Sequence, residues 1–329
     1  MNKSRANKYT PKTEILDHFP EISGNTVNGV GEKEPRRPSP FFWHPPDRQT
    51  HGELQQYLVN NLRPASGEDH SFRNPAVDRG PARIPVARTR TEKFPEQWVR
   101  EVKEFVLSDE GDLVGITPLL DDYVYEGYHV NEPWVILIGV AHDYEKLSKV
   151  PGTPEDLTGY HEIHDQYNRA ARAAARLTNL LRGYGYQAKD YPGPMADALN
   201  MIPAALAAGL GELGKHGSII NRRYGSGFRL AAVTTDVPLL ADQPDAFGAD
   251  EFCHACQLCR HACPPDAIHR EKVLVRGVKK WYVDFDKCIP YFVKTYGCAI
   301  CIEVCPWSES GRGEWLSEKM LARRNKSQG

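Results

Sequence analysis

All eight cysteines of the 329-residue chain fall between positions 253 and 305, and their spacing constrains the fold more than any other feature. Cys253, Cys256, Cys259 and Cys263 run as CxxCxxCxxxC, with Pro264 directly after. Cys288, Cys298, Cys301 and Cys305 repeat the pattern with the first gap stretched, and Pro306 follows. Three thiolates at CxxCxxC spacing wrap one corner of a cubane iron–sulfur cluster, whereas the fourth cysteine of such a run ligates the other cluster. The pattern therefore assigns Cys253, Cys256, Cys259 and Cys305 to one [4Fe–4S] cluster. Cys263, Cys288, Cys298 and Cys301 are assigned to a second, and no thiol is left over. Two structural zinc sites or a disulfide framework would also use cysteines in even numbers. Neither requires the third CxxC step or the trailing proline, and a chain of this length has core enough without covalent staples.

Composition adds exclusions. With 40% hydrophobic and 26% charged residues, the chain has the make-up of an ordinary soluble globular protein. A net charge of -2 and a pI near 6.6 show no basic excess of the kind nucleic-acid binding brings, so nucleic acid is disfavoured as a partner. No apolar run approaches a membrane span, and the N-terminus MNKSRANKYTPKTE has neither an apolar signal core nor twin arginines. The expectation is a cytoplasmic protein without a membrane partner. Oxygen-sensitive clusters and the lack of spare cysteines for disulfides agree with a reducing compartment.

Three regions follow in order. Residues 1–95 are rich in Pro, Arg, Asn and Gly, poor material for a packed core, and read as an extended arm anchored by Phe41, Phe42 and Trp43. Residues 96–245 alternate between helix and strand, which predicts an α/β layered core. There FPEQWVREVKEFVLSDEG places Trp98, Val102, Phe105 and Val106 on one helical face. DLVGITPL and WVILIGVAHDY read as strands, the second buried on both faces because it is apolar at nearly every position. A long helix is predicted from Tyr160 to Arg182, then a strand from GYQAK, a helix over MADALNMIPAALAAG and a strand over RLAAVTTDVPLL. Residues 246–329 form the cysteine module, with a YVDFDKC strand before Cys288 and a short charged tail after Trp307. Gly209, Gly211 and Gly214 spell GxGxxG, but an alanine-rich helix precedes them where a dinucleotide site needs a strand. These glycines end a helix or let backbone lie against a large flat ligand.

Two clusters occupy only the last quarter of the chain, so something upstream receives their electrons. Over residues 95–310 the sequence resembles the cobalamin-dependent reductive dehalogenases, and more distantly the epoxyqueuosine reductases. The resemblance is carried by DLVGITPL, WVILIGVAHDYE, LLRGYGYQA, AAGLGELGKHGSIINRRYGSGFRLAAVTTDVPL and the two cysteine runs. It implies an α/β (α+β) cobalamin-binding core followed by a bacterial two-[4Fe–4S] ferredoxin-like module. The implied reaction is reductive removal of halide from an organohalide, aromatic by expectation, at a cob(I)alamin centre fed by the two clusters.

The resemblance also implies site residues. Tyr167 matches the family's proton donor and Arg229 the basic residue beside it. An ordinary phenol is a poor acid, and a neighbouring cation stabilises the phenolate left after transfer. Tyr160 and Tyr184 are rivals for the acid. Without the resemblance Tyr167 reads as a core aromatic, and Arg229 as a strand-edge charge or a cofactor contact. His164 and Lys215 could contact substrate. Asp165 matches the aspartate acid of the epoxyqueuosine type, a reductase acting on tRNA. Gly209, Gly211, Lys215, His216 and Ser218 are candidate cobalamin contacts. No DxHxxG motif is present, so base-off cobalamin without a protein ligand beneath cobalt is expected. The chain carries no flavin or ferredoxin-reductase segment, so an external ferredoxin- or flavodoxin-type donor is expected. A two-cluster electron-transfer protein without cobalamin is the remaining alternative.

Overall fold

The computed structural model describes residues 9–62, 77–194 and 197–328. Its centre is a four-stranded sheet in the order β1-β2-β6-β3, formed by β1 (Leu113–Pro118), β2 (Trp134–Ala141), β3 (Ala188–Pro192) and β6 (Phe228–Thr235). Every neighbouring pair is antiparallel. The alternation of helix and strand nevertheless has its usual consequence. β2 and β3 run the same way and are joined by a crossover helix, but β6 inserts between them and pairs with both.

After the short helix α5 (Tyr144–Leu147), the crossover helix is α6 (Thr158–Gly183), the longest among the described residues. Its Ala170, Ala173, Ala174, Leu177 and Leu181 are buried at three- and four-residue steps. They meet Ile136, Ile138, Val140, Ala231 and Val233 of the sheet, together with Trp98, Val102 and Val106 of α4 (Pro95–Ser108). On the outer side Arg169, Arg172 and Arg176 pair with Asp112, Glu110 and Asp109. The opposite sheet face offers Val135, Leu137 and Ala232, and α7 (Met201–Ala207) covers it with Ala204 and Ala205. β2 thus alternates between two cores, which explains why nearly every residue in it is apolar.

α7 is shorter than expected. Met195 and Ala196 lie outside the described residues, and 197–200 are not helical. Pro203 sits in the first turn, where a missing N–H costs nothing. The helix ends in a Schellman arrangement: Gly209 N–H reaches Leu206 O at 3.2 Å and Leu210 N–H reaches Ala205 O at 2.9 Å. Gly209 has φ +74°, so the first glycine of the GxGxxG run is a helix terminator. β4 (Glu212–Leu213) and β5 (Ile219–Ile220) follow as a hairpin.

Cys253, Cys259, Cys288 and Cys301 lie in α8 (Ala249–Ala255), α9 (Leu258–Ala262), α10 (Phe285–Lys294) and α11 (Ile300–Glu303), and the other four cysteines lie just outside these helices, with β7 (Val273–Val275) and β8 (Val278–Lys280) as a hairpin between the two runs. Two expectations are corrected here. YVDFDKC is not a strand: only Val283 makes a bridge, to Ile268, and Asp284 then caps α10 by accepting from Lys287 N–H. The segment after Trp307 is the 17-residue helix α12 (Arg312–Gln328), whose Leu316 and Met320 pack against the module's core.

The arm is more ordered than its composition suggests. It contains α1 (Thr13–Leu16), α2 (Gly24–Val27) and α3 (Gly52–Leu62). Leu54 and Leu58 of α3 join Ile15 and Phe42 in a cluster closed by Ile289 and Val293 of α10. Phe41 and Phe42 both meet the Phe285 ring edge-on, and Trp43 meets Phe292. Asn25 accepts from Tyr282 Oη and Phe285 N–H, each at 2.9 Å. Among the described residues no helix is long and apolar enough to cross a membrane. Because Phe42 is 3% exposed, Phe42→Ala is expected to destabilise the protein by about 3 kcal/mol or more, read as a lowered urea midpoint. An unchanged midpoint would show that the arm's aromatic cluster adds nothing to folding.

Candidate active site

The site lies where β2 leaves the sheet and β6 enters it. Register sets Arg229 opposite Val140 and Phe228 opposite Ala141, so the guanidinium emerges beside His142, the next residue along. Across from both, the first half of α6 presents Tyr160, His164 and Tyr167. Arg229 Cζ stands 5.2 Å from the centroid of the Tyr167 ring, within the range of a cation–π contact. Tyr167 also presses on the loop after β3: a Cβ added to Gly193 would come within 2.7 Å of its ring. Arg79 holds that loop by donating to Gly193 O at 2.8 Å.

A buried acid–imidazole pair underlies this face. Glu162 Oε1 accepts from Asp143 N–H at 2.8 Å and from Gln166 Nε2 at 3.0 Å, and it faces His142 Nδ1 at 3.2 Å. Burial, then the Arg229 charge, push His142 down to about 4 against the opposing pull of Glu162. Burial, then His161 and Arg229, bring His164 to about 4 as well. Both imidazoles are therefore neutral at physiological pH. The His164 ring meets Tyr160 tilted, with centroids 4.4 Å apart; burial pushes the Tyr160 phenol up to about 12, with a smaller contribution from Tyr296. Three buried polar atoms here have no hydrogen-bond partner among the described residues: Arg229 Nε, His142 Nε2 and Tyr160 Oη. Such groups are costly unless satisfied, so the face is fitted to a ligand with polar groups of its own.

The structure brings together Tyr167, Arg229, His164 and the rival Tyr160. It separates Tyr184, which lies at the far end of α6 against Trp98 and Lys93. Asp165 is exposed. His142 and Glu162 were not anticipated. Their signals are faint ones, a histidine directly after an unbroken apolar strand and a glutamate on a helix's inner face.

The five glycine-rich-segment candidates have protein neighbours. Gly209 and Gly211 abut backbone of Gln243 and Ile220, and Ser218 N–H donates to His216 Nδ1 at 3.2 Å. His216 is wholly buried and faces Ser226 Oγ at 3.1 Å through Nε2. Lys215 and His216 line a small cavity with Phe252, Cys253, Cys256, Cys259, Cys305, Pro306 and Trp307. That cavity gathers one of the two expected quartets. The thiols' electrostatic neighbours divide in the same way: Cys305 senses Cys253, Cys259 and Cys256, while Cys288 senses Cys298 and Cys263. Cys301 senses Cys298, Cys288 and Cys263, and also Cys259 across the divide. All eight are free thiols. Burial pushes Cys253 and Cys288 up to about 12, so binding a metal group must displace protons. Among the described residues no three His, Cys, Asp or Glu side chains converge to single-ion distance. A four-iron cage holds its thiolates farther apart than one tetrahedral ion does.

A mixed α/β core joined to a dicluster cysteine module defines a class, and the comparisons with known proteins agree on it. The 4Fe-4S dicluster domain family matches residues 252–308, and the chain's similarity is to the reductive dehalogenases. A tetrachloroethene reductive dehalogenase of Desulfitobacterium hafniense is 32% identical over 189 residues, covering 53% of this chain and 33% of the relative. An epoxyqueuosine reductase of Salmonella typhimurium is 33% identical over 156 residues, covering 40% of this chain and 37% of the relative. A solved reductive dehalogenase, described in terms of B12-dependent dehalogenation, superposes with a TM-score of 0.65 at 24% identity, covering 84% of this chain and 40% of that one. The matches thus span well under half the length of these relatives.

The depressed imidazoles generate a pH prediction. Unfolded histidines take up protons near 6.5 while His142 and His164 resist until about 4, so their contribution is complete above 6.5 and is lost as pH falls toward 4. Denaturant midpoints should fall across that window, less steeply in His164→Gln. A wild-type profile flat between 6.5 and 4 would show that neither ring is held neutral.

Proposed function

We propose that the chain reductively dehalogenates an organohalide, R–X + 2 e⁻ + H⁺ → R–H + X⁻, with base-off cobalamin as resident cofactor and electrons delivered through two [4Fe–4S] clusters. The observation that carries this reading is the Tyr167–Arg229 pair, with the guanidinium carbon 5.2 Å from the ring centroid and its Nε without a hydrogen-bond partner among the described residues. A bound corrinoid would supply the two-electron reducing power that cleavage of the carbon–halogen bond requires. The chain supplies the rest. Tyr167 Oη gives the proton to carbon, and Arg229 stabilises the phenolate that remains. His142 is kept neutral and adds no second cation to the site. Arg229 Nε, His142 Nε2 and Tyr160 Oη are the groups fitted to hold cofactor or substrate. The rings of Tyr160, Tyr167 and His164 offer flat faces, which favours an aromatic organohalide.

Cys253, Cys256, Cys259 and Cys305 would hold one cluster, and Cys263, Cys288, Cys298 and Cys301 the other, with an external ferredoxin or flavodoxin as electron donor. Exposed Asp165 argues against an epoxide-reducing acid at that position. Anaerobic reconstitution followed by metal analysis should give about eight irons per chain and one cobalt. Eight irons without cobalt uptake would leave an electron carrier and reject dehalogenation. Tyr167→Phe should cut halide release from halogenated phenols by about 10²-fold or more with iron and cobalt retained, and Asp165→Asn should leave it unchanged. Full activity in Tyr167→Phe would remove Tyr167 as the acid.

A further inference from the structure

One side chain at the Cys253 cavity is unaccounted for by that reading. Lys215 is 1% exposed, and its Nζ has no hydrogen-bond partner among the described residues. The ammonium lies 4.7 Å from the centroid of the Trp281 ring, and Lys215 N–H donates to Cys253 Sγ at 3.4 Å. Lys272 approaches the same indole, at 5.3 Å, but is neutralised by Asp250 at 2.7 Å, which also accepts from Trp281 Nε1. Asp250 is therefore committed, and Lys215 makes no salt bridge among the described residues; Glu271 pulls on it, but less than Cys253 and Cys259 do. A buried ammonium without a counter-charge is among the costliest arrangements a fold can hold. The side chains that enclose it on the cavity side include four thiols.

We propose that Lys215 is the fixed counter-charge of the cluster held by Cys253, Cys256, Cys259 and Cys305, and that it raises that cluster's reduction potential. The assignment rests on the cluster reading above. A cluster becomes one unit more negative on accepting an electron, so a fixed cation beside it stabilises the reduced form more than the oxidised one. Among the described residues Lys215 is the one lysine or arginine that lines this cavity. Trp307 lines it too, and its Nε1 likewise has no partner among the described residues, a second N–H suited to a cluster sulfur. Lys215 acts here as a positioning residue for charge and touches no substrate.

The test is an EPR-monitored redox titration of the full chain, reconstituted anaerobically with iron and sulfide, for wild type, Lys215→Met and Lys215→Gln. In both variants the midpoint of one cluster should fall by at least tenfold in the one-electron equilibrium, about 59 mV, with the other midpoint and the iron content unchanged. Unchanged midpoints at full iron content overturn the proposal. Loss of one cluster from both variants also overturns it, because Lys215 would then be scaffold and not a tuner. A wild-type chain that takes up no cluster fails the cluster reading, and this inference with it.

Discussion

Insertion of β6 between β2 and β3 is the pairing on which both chemical regions depend. Its first residues carry Arg229 to the mouth of the sheet, where the register with β2 sets it beside His142. The chain just upstream is the β4–β5 hairpin and the turn of Lys215 and His216, which reaches the cysteine cavity. One strand thus fixes a guanidinium at one site and a lysine at the other. Moving its register by one residue would turn Arg229 to the opposite face and drag the hairpin with it.

Local chemistry made much of this legible. The cysteine spacing pointed to an iron–sulfur module, in agreement with the 4Fe-4S dicluster family match over residues 252–308, because ligand geometry is written into short intervals. The long amphipathic helix and the doubly buried β2 were readable because periodicity survives without tertiary context. The order of strands was not, since nothing local reports that β6 arrives between two strands already joined by a helix. YVDFDKC illustrates the limit differently: its alternation looks like a strand, yet Asp284 is placed to cap a helix, and the cap prevailed. The C-terminal helix was obscured because its exposed face is densely charged and few apolar side chains, Leu316 and Met320 among them, pack it against the module.

The candidate site divides along the same line. Tyr167 and Arg229 were reachable through resemblance alone, since a tyrosine on a helix's inner face is ordinarily core. His142 and Glu162 gain meaning only when the end of β2 and the inner face of α6 meet. Lys215 shows the reverse: a lysine in a glycine-rich turn is ordinarily solvated, and the packing of Trp281 and Phe252 around the turn makes it a buried charge.

The stretch between Cys288 and Cys298 gives the N-terminal arm a further role. Nine residues separate these thiols, and most of them form α10, whose Ile289 and Val293 support the arm's Ile15, Phe42, Leu54 and Leu58. Closing a flexible loop of that length on a metal would cost chain entropy. Here the arm has already immobilised the loop through ordinary apolar packing. Under the proposed cluster assignment, Cys288 would be held in place by this packing, and the extra residues in the second cysteine run would cost less chain entropy when it closes.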